Sequence, residues 1–174
     1  MDKPDGPSRD ELVRSAVSRF ERPLLAYAQR IAPDPERARD AVQETFAKLC
    51  DDPPSDVNGH LAEWLYAVCR SRCLDQRRKE KRVKPMTEAH AESFASTSQD
   101  PARVTEQRDA TSHVLKQLAR LPANQQEVLR LKFQHGMSYR EIATITGLSE
   151  TNVGFLIHTG LKALRERLAG RETR

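Results

Sequence analysis

Between Arg70 and Lys84 the chain sets eight cations (Arg70, Arg72, Arg77, Arg78, Lys79, Lys81, Arg82 and Lys84) against two acids, Asp75 and Glu80. Cations at that density neutralise phosphates and release condensed counterions, so the chemistry they fit is nucleic-acid binding that weakens with salt. A solvated helix face has a similar composition, and the run alone does not separate the two. A sharper pattern lies further on. Ser138 and Glu141 have capping-box spacing, Gly147 stands where a helix must reverse at positive φ, and Ser149 can cap a following helix. Two short helices joined by a tight glycine corner form the helix-turn-helix unit, whose second helix enters the major groove of duplex DNA leading with its amino-terminal residues.

That second helix is expected to bury Val153, Leu156, Ile157, Leu161 and Leu164, with Leu148 plugging the corner. Its exposed side then carries Glu150, Thr151, Asn152, Phe155, His158, Thr159 and Lys162. Thr151 and Asn152 can meet base edges or phosphates, and Lys162 and Arg165 can reach backbone phosphates. An ordinary helical hairpin is the plainer reading, but the caps, the turn and the apolar stripe agree over the whole unit.

Other chemistries find little support. Cys69 and Cys73 lie one helical turn apart, yet two thiols and a distant His60 make a poor zinc set, and small buried hydrophobes are the better reading. His90, His113, His135 and His158 show no ligand spacing. Neither a nucleophile–base pair nor a glycine-rich phosphate loop is present in the sequence. No catalytic residue, metal, cofactor or small-molecule substrate is expected.

These groups must be held by helices, because apolar residues recur at helical spacing almost throughout. The hydrophobic fraction is 37% and the aromatic fraction 5%, which suits small bundles of Leu, Val, Ile and Ala rather than one large core. Ser8 and Glu11 open a first helix striped by Leu12, Ala16, Val17, Phe20, Leu24, Tyr27, Ala28 and Ile31. Asp34-Pro35 pairs an N-cap with a proline suited to a first turn, before Ala38, Val42, Thr45, Phe46 and Leu49. The Asp51-to-Ser55 stretch breaks that helix, and Leu61, Trp64, Leu65 and Val68 mark the next core stripe. Trp64 can serve as a base-stacking platform, although its place in the stripe favours a core role.

From about Val83 to Ser112 the rhythm fades into Pro, Ser, Thr, Ala, Gln and Glu, with a trace of helix near Ala102 to Ala110. Val114, Leu115, Leu118 and Leu121 then form a stripe stopped by Pro122, and Val128, Leu129 and Phe133 mark a helix ended by His135-Gly136. The expected fold is all-α: two small helical domains, 8–83 and 113–170, joined by a flexible linker, 84–112. No apolar run approaches the roughly 20 residues a membrane helix needs. The polar start from Met1 to Asp10 excludes a secretory signal, and three cysteines without a framework fit a reducing compartment, so a cytoplasmic location is expected.

Three segments together resemble the extracytoplasmic-function (ECF) group of sigma-70 RNA polymerase sigma factors. Asp40-Ala41-Val42-Gln43-Glu44-Thr45-Phe46 is similar to the sigma region 2.2 segment that docks on the clamp coiled coil of the largest polymerase subunit. Trp64 to Arg78 is similar to the region 2.3–2.4 helix. Leu121-Pro122-Ala123-Asn124-Gln125-Gln126-Glu127-Val128-Leu129 and the helix-turn-helix after it resemble region 4. The resemblance implies a non-enzymatic initiation factor that binds core RNA polymerase and promoter DNA, with an anti-sigma factor as a further partner.

Carried over residue by residue, the resemblance puts polymerase docking on Asp40, Gln43, Glu44, Phe46 and Lys48. It puts −10 recognition and melting on Asn58, His60, Arg70, Arg72, Gln76, Arg77, Arg78 and Lys79. It puts −35 recognition on Ser149, Thr151, Asn152, Phe155, His158, Lys162 and Arg165, with region 4 seated on the flap of the second-largest subunit. Arg39 stands where many relatives carry an acid. Many relatives also follow the valine at 153 with Lys-Ser-Arg; here Gly154, Phe155 and Leu156 stand there, and Thr159, Gly160 and Leu161 fill later basic positions. Two accounts of this helix stay open: −35 reading mainly through Thr151, Asn152 and His158, with Phe155 against a thymine methyl, or a protein contact at Phe155 with −35 reading reduced. At the level of the whole chain the rivals are a free-standing helix-turn-helix regulator and a degenerate paralogue that blocks polymerase.

Overall fold

The computed structural model describes residues 8–54, 59–83 and 105–169. Among them are seven α-helices and no strand: α1 (Arg9–Ile31), α2 (Pro35–Asp51), α3 (Leu61–Val83), α4 (Thr105–Leu118), α5 (Ala123–Phe133), α6 (Tyr139–Thr146) and α7 (Glu150–Ala169). They form two compact units, Met1–Thr87 and Glu88–Arg174. No helix among the described residues is long and apolar enough to cross a membrane.

The first unit packs α1, α2 and α3 against one another. Ser8 and Glu11 close a reciprocal capping box at the start of α1, and the Asp34 carboxylate accepts from the Arg37 N–H at 2.8 Å to start α2. Pro23 lies inside α1, where its ring nitrogen has no hydrogen to give the preceding turn. Ala16, Leu24, Tyr27, Ala28 and Ile31 of α1 meet Ala38, Ala41, Val42, Thr45 and Leu49 of α2 in the core. The Thr45 hydroxyl, fully buried, donates to the Ala41 carbonyl at 2.6 Å and so brings no unsatisfied polar group inside.

The buried side of α3 differs from the expected stripe. Leu65, Tyr66, Cys69 and Cys73 are buried, whereas Leu61, Trp64 and Val68 are only half-buried. The reason is the neighbour on α1: the Tyr66 ring packs edge-on against Tyr27, with centroids 5.1 Å apart and planes at 61°. With Tyr66 turned inward, the narrow space along the next two turns takes the small cysteines. Burial, helped by the neighbouring Cys69, pushes the Tyr66 phenol up, and the Cys73 thiol is pushed up by its hydrogen bond with Cys69 and then by burial.

In the second unit α7 packs against α4, α5 and α6. The helix α4 begins at Thr105, inside the stretch read from the sequence as linker, and Leu118 and Leu121 are buried while Val114 and Leu115 are more than one-third exposed. Gln126 is buried at the α4–α5 turn and donates to the carbonyls of Ala119 and Leu121 at 3.0 and 2.8 Å. Across the next corner the Lys132 ammonium donates to the Met137 carbonyl at 3.2 Å. Ser138 and Glu141 form the capping box of α6, and Gly147 ends that helix at φ 74°, a conformation that costs glycine nothing sterically.

The core side of α7 is Val153, Leu156, Ile157 and Gly160, with Leu161 and Leu164 half-buried. Gly160 is thus a packing residue, where the sequence shows only a missing cation. A Cβ there would stand 3.0 Å from Leu129 Cδ1 and 3.4 Å from the Gln125 Cβ, so the bare glycine lets α5 approach α7. Gly154 has no such constraint, since a Cβ there would meet only the Tyr139 ring at 3.5 Å.

Gly154→Ala should stabilise the second unit by up to about 1 kcal/mol through helix propensity, whereas Gly160→Val should destabilise it by about 1–3 kcal/mol through overpacking. Denaturant melts of both variants check the contrast, and equal effects would contradict it. Iodoacetamide at pH 8 should modify the exposed Cys50 alone in the native chain and all three cysteines in denaturant, as read by mass spectrometry. Because the Cys73 thiol is raised on folding, its contribution to stability is present below the unfolded thiol range and declines as pH rises through about 8.5 and beyond.

Candidate nucleic-acid interface

Burying one side of α2 turns Asp40, Gln43 and Glu44 outward together, all exposed. The Arg37 guanidinium stands 4.0 Å from the Asp40 carboxylate one turn earlier on the same helix. Phe46 and Lys48 are half-buried, and Lys48 Nζ sits 5.9 Å from the centroid of the Trp64 ring on α3. Trp64 is therefore neither a fully buried core residue nor a free stacking platform: one part of its ring lies under a cation of α2.

On α3 the cations are set around a helix whose inner side is the Leu65–Tyr66–Cys69–Cys73 stripe. Arg78 and Lys79 are exposed, and Arg70, Arg72 and Arg77 are half-buried. Arg78 reaches Asp75 at 3.5 Å. Arg72 Nε stands 3.4 Å from Glu44 Oε2, joining a cation of α3 to an acid of α2. Both side chains are near half exposure, so the pair contributes at most about 1 kcal/mol and is easily exchanged for other partners. Gln76 is half-buried, and its Oε1 is shielded from solvent without a hydrogen-bond partner.

His60 precedes α3, its carbonyl accepting from the Trp64 N–H at 3.0 Å and its Nδ1 lying 3.2 Å from Glu63 Oε2. Its ring is thus held at the helix entrance by the first turn. Asn58, the other loop residue singled out from the sequence, lies outside the described residues.

In the second unit α6 and α7 form the helix-turn-helix. The Ser149 hydroxyl accepts from the Asn152 N–H at 3.2 Å, which caps α7 and leaves its hydrogen for another acceptor. Thr151, Asn152, Phe155, His158, Lys162 and Arg165 are all exposed, at intervals of three or four residues after the leading pair. They therefore share one edge of α7, opposite the core residues. Thr159, expected on that exposed side, instead turns toward α5: its Oγ1 accepts from Gln125 Nε2 at 3.3 Å and donates to the Phe155 carbonyl at 2.8 Å.

The residues named from the sequence thus separate into three groups, on α2, on α3 with its entrance, and on the outer edge of α7. What the sequence reading missed is the Glu44–Arg72 pair that ties the first two groups together. Residues 28 positions apart give no periodic signal for such a contact; only the packing of α2 on α3 brings them within reach.

Comparison with known proteins bears on the two helical units. The sigma-70 region 2 model matches residues 16–83, and the model for sigma-70, region 4 matches residues 113–164. The chain is 29% identical over 158 residues to the ECF RNA polymerase sigma factor SigL of Mycobacterium tuberculosis, spanning 88% of this chain and 87% of that one. It is 28% identical over 162 residues to the ECF RNA polymerase sigma factor SigM of Bacillus subtilis, spanning 91% and 95%. Among solved structures, the sigma factor RpoE in complex with the anti-sigma factor NepR from Bartonella quintana gives a TM-score of 0.63 at 22% identity, covering 90% of this chain and 96% of that one. CnrH in complex with the cytosolic domain of CnrY gives 0.58 at 21% identity, covering 91% and 88%. With both region models matched in order on the two helical units, the chain belongs to the ECF group of the sigma-70 family of RNA polymerase sigma factors.

Proposed function

We propose that this sigma factor divides its work between its units, with residues 8–83 docking on polymerase and handling the −10 element, residues 84–112 linking, and residues 113–170 reading the −35 element. The docking contacts are Asp40, Gln43, Glu44, Phe46 and Lys48, set against the clamp of the largest polymerase subunit. Asn58, His60, Arg70, Arg72, Gln76, Arg77, Arg78 and Lys79 hold and open the −10 region, the cations through phosphates. Region 4 rests on the flap of the second-largest subunit and presents Ser149, Thr151, Asn152, Phe155, His158, Lys162 and Arg165 to the −35 element. The chain acts in the cytoplasm and supplies no catalytic group; phosphodiester chemistry belongs to the polymerase.

The observation that carries this reading is the one-sidedness of α2. Its inner side is consumed by the core, and its outer side offers an acid–amide–acid group free of any packing duty, beside the most cationic of the described helices. The Glu44–Arg72 pair supports a handover, in which docking engages Glu44 and leaves Arg72 available to a phosphate. An anti-sigma partner is part of the proposal, since both structural neighbours were solved with such a partner or with a cytosolic domain bound.

The test is affinity for purified bacterial core polymerase. Asp40→Ala and Glu44→Ala should each weaken binding on the order of tenfold, and Glu21→Ala, at an exposed position on α1, should not. Arg78→Ala should leave core binding intact and lower the salt slope of promoter binding by about 1. Unchanged core affinity in both acid variants would move the docking surface elsewhere.

A further inference from the structure

The outer edge of α7 carries one large apolar side chain among polar ones. Phe155 is 63% exposed, with Thr151 and Asn152 a turn before it, His158 a turn after, and Lys162 and Arg165 beyond. The core of the second unit makes no use of it, taking Val153, Leu156, Ile157 and Gly160 from this helix. The residue before it, Gly154, presents bare backbone, and the Tyr139 ring of α6 lies 3.5 Å from where a Cβ would stand. The cation at Lys132 is drawn over that same ring, 5.3 Å from its centroid. At the part of α7 that leads into a groove, this edge of the helix therefore offers apolar surface, with its own cations Lys162 and Arg165 two to three turns further along.

We propose that Phe155 is a specificity residue that reads thymine, its ring meeting the C5-methyl groups that thymine alone presents in the major groove. The inference rests on region 4 being the −35 reader and adds what that reader prefers. Its neighbours favour DNA over a protein as the occupant: hydrogen-bonding Thr151 and Asn152 on one side suit base edges, and Lys162 and Arg165 on the other suit phosphates. Discrimination then comes from burying methyl groups, and few phosphates contribute, so −35 binding depends weakly on salt.

The experiment uses reconstituted holoenzyme and a duplex library randomised across the −35 region of a promoter that the holoenzyme transcribes. The selected duplexes should fix thymine at one or two positions. Replacing such a thymine by deoxyuridine removes the methyl and keeps the pairing; it should weaken binding by about fourfold per methyl. The same replacement should have no effect on Phe155→Ala, while Asn152→Ala should keep the uracil penalty. Phe155 is exposed, so its truncation leaves the core whole, and thermal melts of the variant confirm folding.

Equal binding of thymine and uracil duplexes, with an element still selected, would overturn the thymine contact alone and leave region 4 as the −35 reader. A uracil penalty that persists in Phe155→Ala would assign the methyl to another residue and overturn the proposal. A library that returns no preferred sequence would overturn both the contact and the −35 reading, and leave Phe155 as a protein-docking residue.

Discussion

The burial of a single narrow stripe on α3, Leu65, Tyr66, Cys69 and Cys73, against α1 and α2 fixes which way the cations of that helix point. A helix has one inward side, and once the Tyr27–Tyr66 contact has chosen it, Arg72 is turned to the α2 edge and Arg78 and Lys79 to solvent. The same choice leaves Trp64 half-buried beside Lys48 instead of sunk in the core. Small cysteines suit this stripe because the helices are close; a larger residue at either position would have to push α3 outward and carry its cations with it.

The second unit depends on an equally narrow approach. Gly160 admits α5 to within contact of the α7 backbone, and the capping box of α6 with the left-handed Gly147 sets the corner between the two DNA-facing helices. A mid-helix glycine lowers helix propensity by about 1 kcal/mol relative to alanine, and here the close packing of Leu129 and Gln125 offsets it. Thr159 and Gly160 are thus committed to α5, which is why the outer edge of α7 is shorter and less basic than a count along the helix would give. Function and packing divide the twenty positions of this helix, with four of them buried.

The parts of the fold that were legible in the sequence are those written in local chemistry. Ser8 with Glu11, Asp34 before Pro35, Ser138 with Glu141 and Gly147 each act within one turn of themselves, and each does in the structure what its type and spacing imply. Less legible was which residues of an amphipathic helix meet a neighbour. The spacing of Trp64 and Val68 places them in the α3 core, yet both are half-buried, because tertiary contact with Tyr27 outweighs the periodicity of large side chains; Cys69 and Cys73 are buried, as their reading as small hydrophobes implies. Val114 and Leu115 looked like core and are more than one-third exposed, whereas Gly160 looked like a gap and is buried. The grouping of Asp40, Gln43 and Glu44 was readable from one helix; the pairing of Glu44 with Arg72 needed two.

On the proposed reading, one chain joins a polymerase-docking surface on α2 to DNA-binding surfaces on α3 and α7 and so gives the polymerase its promoter. The most direct measurement is run-off transcription by purified bacterial core polymerase on a pool of genomic fragments, with and without the protein. The account predicts discrete transcripts that appear only with the protein and disappear when Asp40 and Glu44 are both replaced by alanine. Tight polymerase binding with no specific transcript, or no binding to polymerase at all, would contradict it.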